Sequence, residues 1–453
     1  MAQILLKDAF VLTMNDAEHA YETGSVLVRD DRIVAVGSVI DDQLLTDDTQ
    51  VLNCSGKIIM PGLINTHVHT SQQLGRGLGD DVPLLTWLHE RTFPYESSLT
   101  PDDSYISTLL CCIEQIRSGV TSFAEPGGQF VRSMAKGVAQ AGLRAKLAKS
   151  SMDCGEGLPE IWQRSTDEEL AQQVEDYHAL HGSSDGRVQI WFGLRTIFNN
   201  SDDLIVRTKE LADTYGVGVH MHVAEVKDEV EYCNELHGVG TVQHLADLGV
   251  LDANLLAVHT VWLTDDEVDL FARHQVKVSH NPAAAMRVLG FAKIPRMLDK
   301  GICVTLGTDG APSNNRMDLI DEMWLTSLIH KGWRLDPTVV KAQDILRMVT
   351  TNGAKALLDD QVGSLAAGKK ADLIVINPAS AGMSPLHDPV ANLVTSMHSS
   401  NVESTMCDGK WLMKDRILMT LDENTIIQEA QMRADAIRRR AGIILPERFP
   451  VAK

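Results

Sequence analysis

The middle of this chain alternates between short apolar runs and longer amphipathic ones, and this alternation constrains its fold more than any other feature. Eight runs read as strands: 63–69, 120–126, 144–150, 188–196, 217–225, 255–260, 276–282 and 302–309. Helical patterns separate them, among them 102–118, 168–181, 202–215, 239–248 and 265–274. Strand–helix alternation of this kind gives a parallel sheet. Eight such units are the content of a (β/α)8 TIM-like barrel, whose active site lies at the C-terminal ends of its strands. A doubly wound open sheet is the competing α/β architecture; histidines at so many strand ends favour the closed barrel.

Both ends of the chain have a different texture. Residues 1–58 hold short β-type runs with turns, such as 24–28 and 32–37 on either side of Asp30-Asp31. The same pattern returns at 371–377, 402–407 and 410–413, followed by a helical stretch at 423–441. The expectation is a small composite β-sandwich domain built from 1–58 and 364–453, flanking a barrel over 59–363. The long stretch 74–99 after the first barrel strand is expected to shape a pocket.

The chemistry sits at the ends of those strands. His67 and His69 stand two residues apart after Pro61-Gly62, and side chains two apart on a strand share a face. Two imidazoles on one face can share a metal ion. An isolated His-x-His is more often an ordinary hydrogen-bonding pair, but here other strand ends carry His222, Glu225, His259 and Asp309. In a barrel all of these converge on one mouth. Nitrogen and carboxylate donors suit one divalent ion, Zn²⁺ first, with Fe²⁺ also compatible. Asp309 can take a proton from water and Glu225 can carry one to the leaving side, as a general acid/base must. His220 and His280 are weaker candidates that could orient a metal-bound imidazole.

The net charge of −20 argues against a nucleic-acid or anionic-membrane surface. The N-terminus shows no basic stretch followed by an apolar one, and no apolar run reaches transmembrane length. Seven cysteines without Cys-x-x-Cys spacing indicate neither a disulfide framework nor a zinc knuckle. A cytoplasmic protein is expected, with a small heterocyclic substrate and further copies of itself as partners, and without nucleic acid or membrane.

The stretch 61–69, His222-Val223-Ala224-Glu225, His259, Ser279-His280-Asn281-Pro282 and Gly307-Thr308-Asp309-Gly310 together resemble the amidohydrolase superfamily. The likeness is to its mononuclear-metal deaminases, such as S-adenosylhomocysteine/5′-methylthioadenosine deaminases and s-triazine hydrolases. It extends to Gly368-Lys369-Lys370-Ala371-Asp372 in the terminal segment. The resemblance implies a metal held by His67, His69, His222 and Asp309, with His259 beside the reacting water and Glu225 as proton shuttle. It implies hydrolytic deamination of an amino-substituted nitrogen heterocycle, an adenosine-type nucleoside, purine or pterin. Triazine dechlorination and amide cleavage of a cyclic substrate are the alternatives on the same scaffold. The segment 87–96 resembles the substrate-gripping loop of the nucleoside enzymes, which makes Glu96 a sugar contact and Trp87 part of an aromatic slot. After the fourth strand the usual purine-contacting histidine is replaced by Gly193-Leu194-Arg195-Thr196. Arg195 and His280 complete the expected substrate-binding set; a guanidinium suits a carbonyl or anionic group.

Overall fold

A ring of parallel strands encloses the centre of the chain, in a computed structural model that describes residues 3–82 and 84–449. Residues 1, 2 and 450–453 of the expected terminal segments lie outside the described residues. Five strands precede the ring: β1 (Gln3–Leu12), β2 (Ala20–Arg29), β3 (Arg32–Gly37), β4 (Gln50–Asn53) and β5 (Ile58–Pro61). The ring comprises β6 (Leu63–Asn65), β7 (Val120–Gly128), β8 (Arg144–Lys149), β9 (Val188–Ile190), β10 (Phe192–Leu194), β11 (Val219–Val223), β12 (Leu255–His259), β13 (Lys277–His280) and β14 (Val304–Leu306). Four more follow: β15 (Leu373–Ile376), β16 (Val402–Cys407), β17 (Lys410–Lys414) and β18 (Ile417–Leu418).

The run expected as one fourth strand is divided. β9 pairs with β8 and β10 with β11, which gives a four-stranded and a five-stranded parallel sheet. The seam is closed by Trp191 N–H donating to Leu147 O at 2.9 Å and by a Ser151–Leu194 bridge. On the other side Thr66 N–H donates to Leu306 O at 3.0 Å, joining the last strand to the first. The eight strand positions therefore form a TIM-like barrel, and its strands are buried apart from Gln189 in β9, as a sheet covered on both faces requires.

Helices between the strands start where the sequence supplies caps. Thr100/Asp103, Ser165/Glu168 and Thr264/Glu267 form capping boxes at the heads of helices Pro101–Arg117, Thr166–Leu180 and Asp265–His274. The pattern at 239–248 resolves into helix Thr241–Asp247, preceded by Lys227–His237. That earlier helix buries only Glu229 and Cys233, so it has almost no apolar periodicity to read.

The terminal segments form one nine-stranded sheet, ordered β18-β17-β16-β15-β5-β1-β2-β3, with β4 on β1. β5 takes Ile58–Pro61 into this sheet, between β1 and β15. The chain then enters the barrel through Gly62, where a Cβ would stand 2.2 Å from Thr121 Oγ1; the two layers are close enough there that glycine is required. Helix Glu423–Arg440 closes the chain against helix Pro101–Arg117, with Arg433 and Arg440 both paired to Asp103.

Candidate active site

The barrel strands end earlier than the sequence pattern suggests. β6 stops at Asn65, so His67 and His69 lie beyond it in extended chain. Their alternation survives because the backbone is still held on both sides. Val68 N–H donates to Ala124 O at 3.0 Å, while Thr308 and Asp309 N–H donate to His67 O at 3.0 and 2.9 Å. β11 likewise stops at Val223; Ala224 then turns with φ 49°, and Glu225 follows in the loop. His259 and Asp309 are also left-handed, at φ 68° and 61°. Left-handed non-glycine backbone costs about 1 kcal/mol or more per residue, and these three residues, with Thr260 at φ 51°, lie at the strand ends that form the mouth.

The side chains expected to meet do meet. His69 Nε2 is 3.3 Å from His222 Nε2. Asp309 Oδ1 lies 3.4 Å from His67 Nε2 and 3.6 Å from His69 Nε2. One ligand atom each from His67, His69 and His222 fall within 4.8 Å of one another, as do those of His67, His259 and Asp309. Gly307 lets β14 approach this cluster: a Cβ there would lie 2.7 Å from His67 Cβ and 2.4 Å from Asn281 Oδ1.

Burial sets the charge states. It pushes the imidazoles of His67, His69, His220 and His222 below the ordinary histidine value, so they are neutral donors of a lone pair. Burial raises the Asp309 carboxyl, but the imidazoles of His67, His259 and His69 close around it outweigh this and hold the group well below the carboxylate range. Burial and then the Asp309 charge push Glu225 up to about 7. Two carboxylates in one pocket are thereby driven apart, one ionised and one poised near neutrality.

Three of the rings have an orienting partner. His67 Nδ1 is 3.1 Å from His220 Nε2, and His222 Nδ1 is 2.9 Å from Arg195 O. His259 Nδ1 is 3.2 Å from the Asn281 amide, whose oxygen accepts from it once oriented to let the amide nitrogen donate to Gly307 O and His280 O. His259 Nε2 then faces Glu225 Oε1 at 3.6 Å and Asp309 Oδ2 at 4.0 Å. His67 Nε2 is buried with no hydrogen-bond partner among the described residues. An orphaned imidazole nitrogen, ringed by two further imidazoles and a carboxylate, fits a divalent cation.

The mouth opens into a cavity of about 630 Å³, lined among others by His69, Trp87, Arg195, His222, Glu225 and Asp309. A second hollow of about 310 Å³ shares Trp87, Glu225 and Asp309 with it. Trp87 and Arg195 thus border the cavity. Glu96 stands behind its wall: it accepts from the Gln72 amide at 2.5 Å and lies 3.6 Å from Arg195 Nη1. His280 is turned to His330, 3.2 Å between their Nε2 atoms, and is 1% exposed. In each case a polar partner from another segment meets the side chain: Gln72 for Glu96 and His330 for His280.

Sequence reasoning missed Gln72, Glu125 and Glu229. Glu229 is buried one turn into helix Lys227–His237 and accepts from the N–H groups of Ala224 and Glu225 at 2.8 and 3.0 Å. An acidic residue four positions after Glu225, at the head of a helix, was the available signal. Glu125 carried none, since it sits inside an ordinary strand.

Comparison with known proteins gives the same outline. The chain is 38% identical over 442 residues to a 5′-deoxyadenosine deaminase of Methanosarcina mazei, covering 97% of this chain and 99% of the relative. It is 35% identical over 435 residues to a 5-methylthioadenosine/S-adenosylhomocysteine deaminase of Pelotomaculum thermopropionicum, covering 96% and 98%. The crystal structure of an adenosine deaminase from Xanthomonas campestris with bound zinc matches with a TM-score of 0.91 at 28% identity, over 97% of this chain and 99% of that one. An atrazine chlorohydrolase from Arthrobacter aurescens, complexed with zinc, matches at 0.89 and 24% identity, over 95% and 100%; at that identity it speaks to the fold alone. The sequence pattern of the amidohydrolase family runs through residues 58–412, and with the barrel, the terminal sheet and relatives of near-equal length, this chain belongs to the amidohydrolase family.

Proposed function

We propose that the chain is a metal-dependent hydrolytic deaminase that releases ammonia from an adenosine-type nucleoside. It is a hydrolase of C–N bonds. The observation that carries the reading is the pairing, on one cavity wall, of a histidine–aspartate cradle with Glu225, whose carboxyl is pushed up to about 7. The relatives named 5′-deoxyadenosine deaminase and 5-methylthioadenosine/S-adenosylhomocysteine deaminase support the substrate class.

His67, His69, His222 and Asp309 would hold one divalent cation, Zn²⁺ before Fe²⁺ on donor type. Bound there, the cation supplies the Lewis acidity that makes water a nucleophile near neutral pH. The chain's own groups do the rest. Protonated Glu225 donates to a ring nitrogen of the base, which makes the adjacent amino-bearing carbon electrophilic. Asp309, ionised, accepts a proton from the attacking water. His259 presents Nε2 between these two carboxylates, 3.6 Å from one and 4.0 Å from the other, and orients the water by accepting its second hydrogen. A C–O bond forms, the C–NH₂ bond breaks, the proton taken by Asp309 leaves on ammonia, and the remaining hydroxyl proton returns to Glu225 as the ring C=O forms. Trp87 and Arg195 line the space beside the reacting ring, with Arg195 a donor to acceptor atoms of the substrate.

The seven cysteines are all unpaired, which supports a reducing cytoplasmic setting. Among the described residues, no helix is long and apolar enough to cross a membrane. Trp262, Phe291, Trp324 and Trp333 are each 40–48% exposed, and apolar surface of that kind supports a homo-oligomer.

The test is ammonia release, coupled to an independent enzyme, from 5′-deoxyadenosine, 5′-methylthioadenosine and S-adenosylhomocysteine with zinc present. Ammonia and an inosine-type product are expected from at least one. Silence across all three would sink the reading.

A further inference from the structure

His69 is held differently from the other two histidines of the cradle. His67 meets a third imidazole and His222 a backbone carbonyl, both at hydrogen-bond distance. His69 Nδ1 is buried without a hydrogen-bond partner among the described residues, and the polar group facing it is Glu125 Oε1 at 3.7 Å. Glu125 is wholly buried, in β7.

The Glu125 carboxylate is itself fixed. Its Oε2 accepts from both the backbone N–H and the hydroxyl of Thr70, the residue after His69. Its Oε1 accepts from Gly127 N–H at 3.3 Å. Thr70 is in turn tied to helix Pro101–Arg117, since Ser107 Oγ donates to Thr70 O at 2.7 Å. The carboxylate is therefore fixed in place beside the imidazole. The opposite ring nitrogen, His69 Nε2, points at His222 and Asp309.

We propose that Glu125 is a positioning residue that selects the tautomer of His69. Its carboxylate accepts the proton on Nδ1, which leaves Nε2 as the bare lone pair aimed into the cradle. A ring with the proton on Nε2 would turn an N–H towards the cation and close that position. Carboxylate partners of metal-bound imidazoles act in this way, and their loss weakens metal binding by roughly 10–100-fold. The inference rests on the reading that His67, His69 and His222 hold a divalent cation.

The decisive variant is Glu125→Gln. The amide oxygen can still accept from Thr70, but the amide N–H₂ then faces His69 Nδ1 and demands a lone pair there. The tautomer inverts with little change of side-chain volume, at the loss of the long bond from Gly127 N–H. Zinc affinity of the stripped protein is measured by competition with a chromophoric chelator, without any turnover. Expected is an affinity lower by about 10–100-fold in Glu125→Gln, with a smaller loss in the same direction for Thr70→Val. An affinity within twofold of the parent in folded Glu125→Gln would overturn the proposal. Should that variant not fold, ¹⁵N-histidine spectra of the stripped parent decide, since His69 carrying its proton on Nε2 would overturn it as well. A parent that binds no zinc at all strikes the metal reading of the site instead, so the two failures are distinguishable.

Discussion

Ionisable side chains are buried at both ends of the barrel, and the two ends treat them in opposite ways. At the base, where β8 meets the terminal sheet, every charge has a partner. Arg144 donates to Asp372 at 2.8 and 3.1 Å and to Asp408 at 2.8 Å; Lys370 and Arg187 reach Asp408 at 2.9 and 3.3 Å. Asp408 N–H closes the cluster on Asp372 at 2.7 Å. At the mouth, His67 Nε2 and His69 Nδ1 have no hydrogen-bond partner among the described residues, and burial pushes the Glu225 carboxyl up to about 7. The base uses burial to join the two halves of the fold. The mouth leaves bonds unmade, at a cost in stability, so that something else can make them.

The comparison breaks hardest at His67. His67→Ala removes a donor from the mouth and touches nothing at the base. Turnover should fall by more than about 10³-fold, because several kcal/mol of transition-state stabilisation go with the cation. Bound metal should be lost while the thermal transition of the stripped protein stays close to the parent's. Metal content by elemental analysis checks this; a variant that keeps its metal would move the site elsewhere.

Glu225→Gln asks whether the raised carboxyl is the proton donor. Metal should be retained and turnover reduced by about 10²–10⁴-fold. The parent should also slow as pH rises through about 7, because Glu225 then loses the proton it must give. A pH profile in which the glutamine variant keeps that falling limb assigns it to another group.

At the base the expectation reverses. Arg144→Met leaves Asp372 and Asp408 buried against each other, which should cost about 3–5 kcal/mol of stability, read as a lower urea midpoint. The protein that remains folded should keep its metal and its turnover. A variant of parental stability that loses metal would show that the two ends are not separable.

The two ends also differ in how legible they are in sequence. The barrel can be read because strand and helix impose periods on apolar residues, and His67, His69, His222, His259 and Asp309 stand out as polar residues where those periods end. The cluster at the base could not be read so: Arg144 lies more than two hundred residues before Asp372 and Asp408, and each looks alone like a surface charge. The same blindness hid the mouth's supports. Glu96 is met by Gln72 and His280 by His330, partners that neither local motif reveals. Periodicity tells which face a residue occupies; it carries no information about which distant partner reaches it first.

The smallest expected effect uses pH to set the two ends against each other. At the base Asp408 titrates below the ordinary carboxylate value: burial raises it, but Lys370 and Arg144 pull it down further. Its contribution to stability is present above the unfolded-state value and is lost as pH falls through the folded one. At the mouth Glu229 has the opposite sign. Burial pushes its carboxyl up to about 8, against the pull of the Ala224 and Glu225 N–H groups. Its contribution is full below the ordinary carboxylate value and is lost as pH rises from there towards about 8. In the stripped protein the unfolding free energy should therefore fall between about pH 5 and about pH 8 by about 1–3 kcal/mol, read as a lower urea midpoint. Glu229→Gln cannot ionise, so its midpoint should fall less over the same range. If parent and variant slope alike, Glu229 is not the titrating group, and the turn that carries Glu225 is not what loosens the mouth as pH rises.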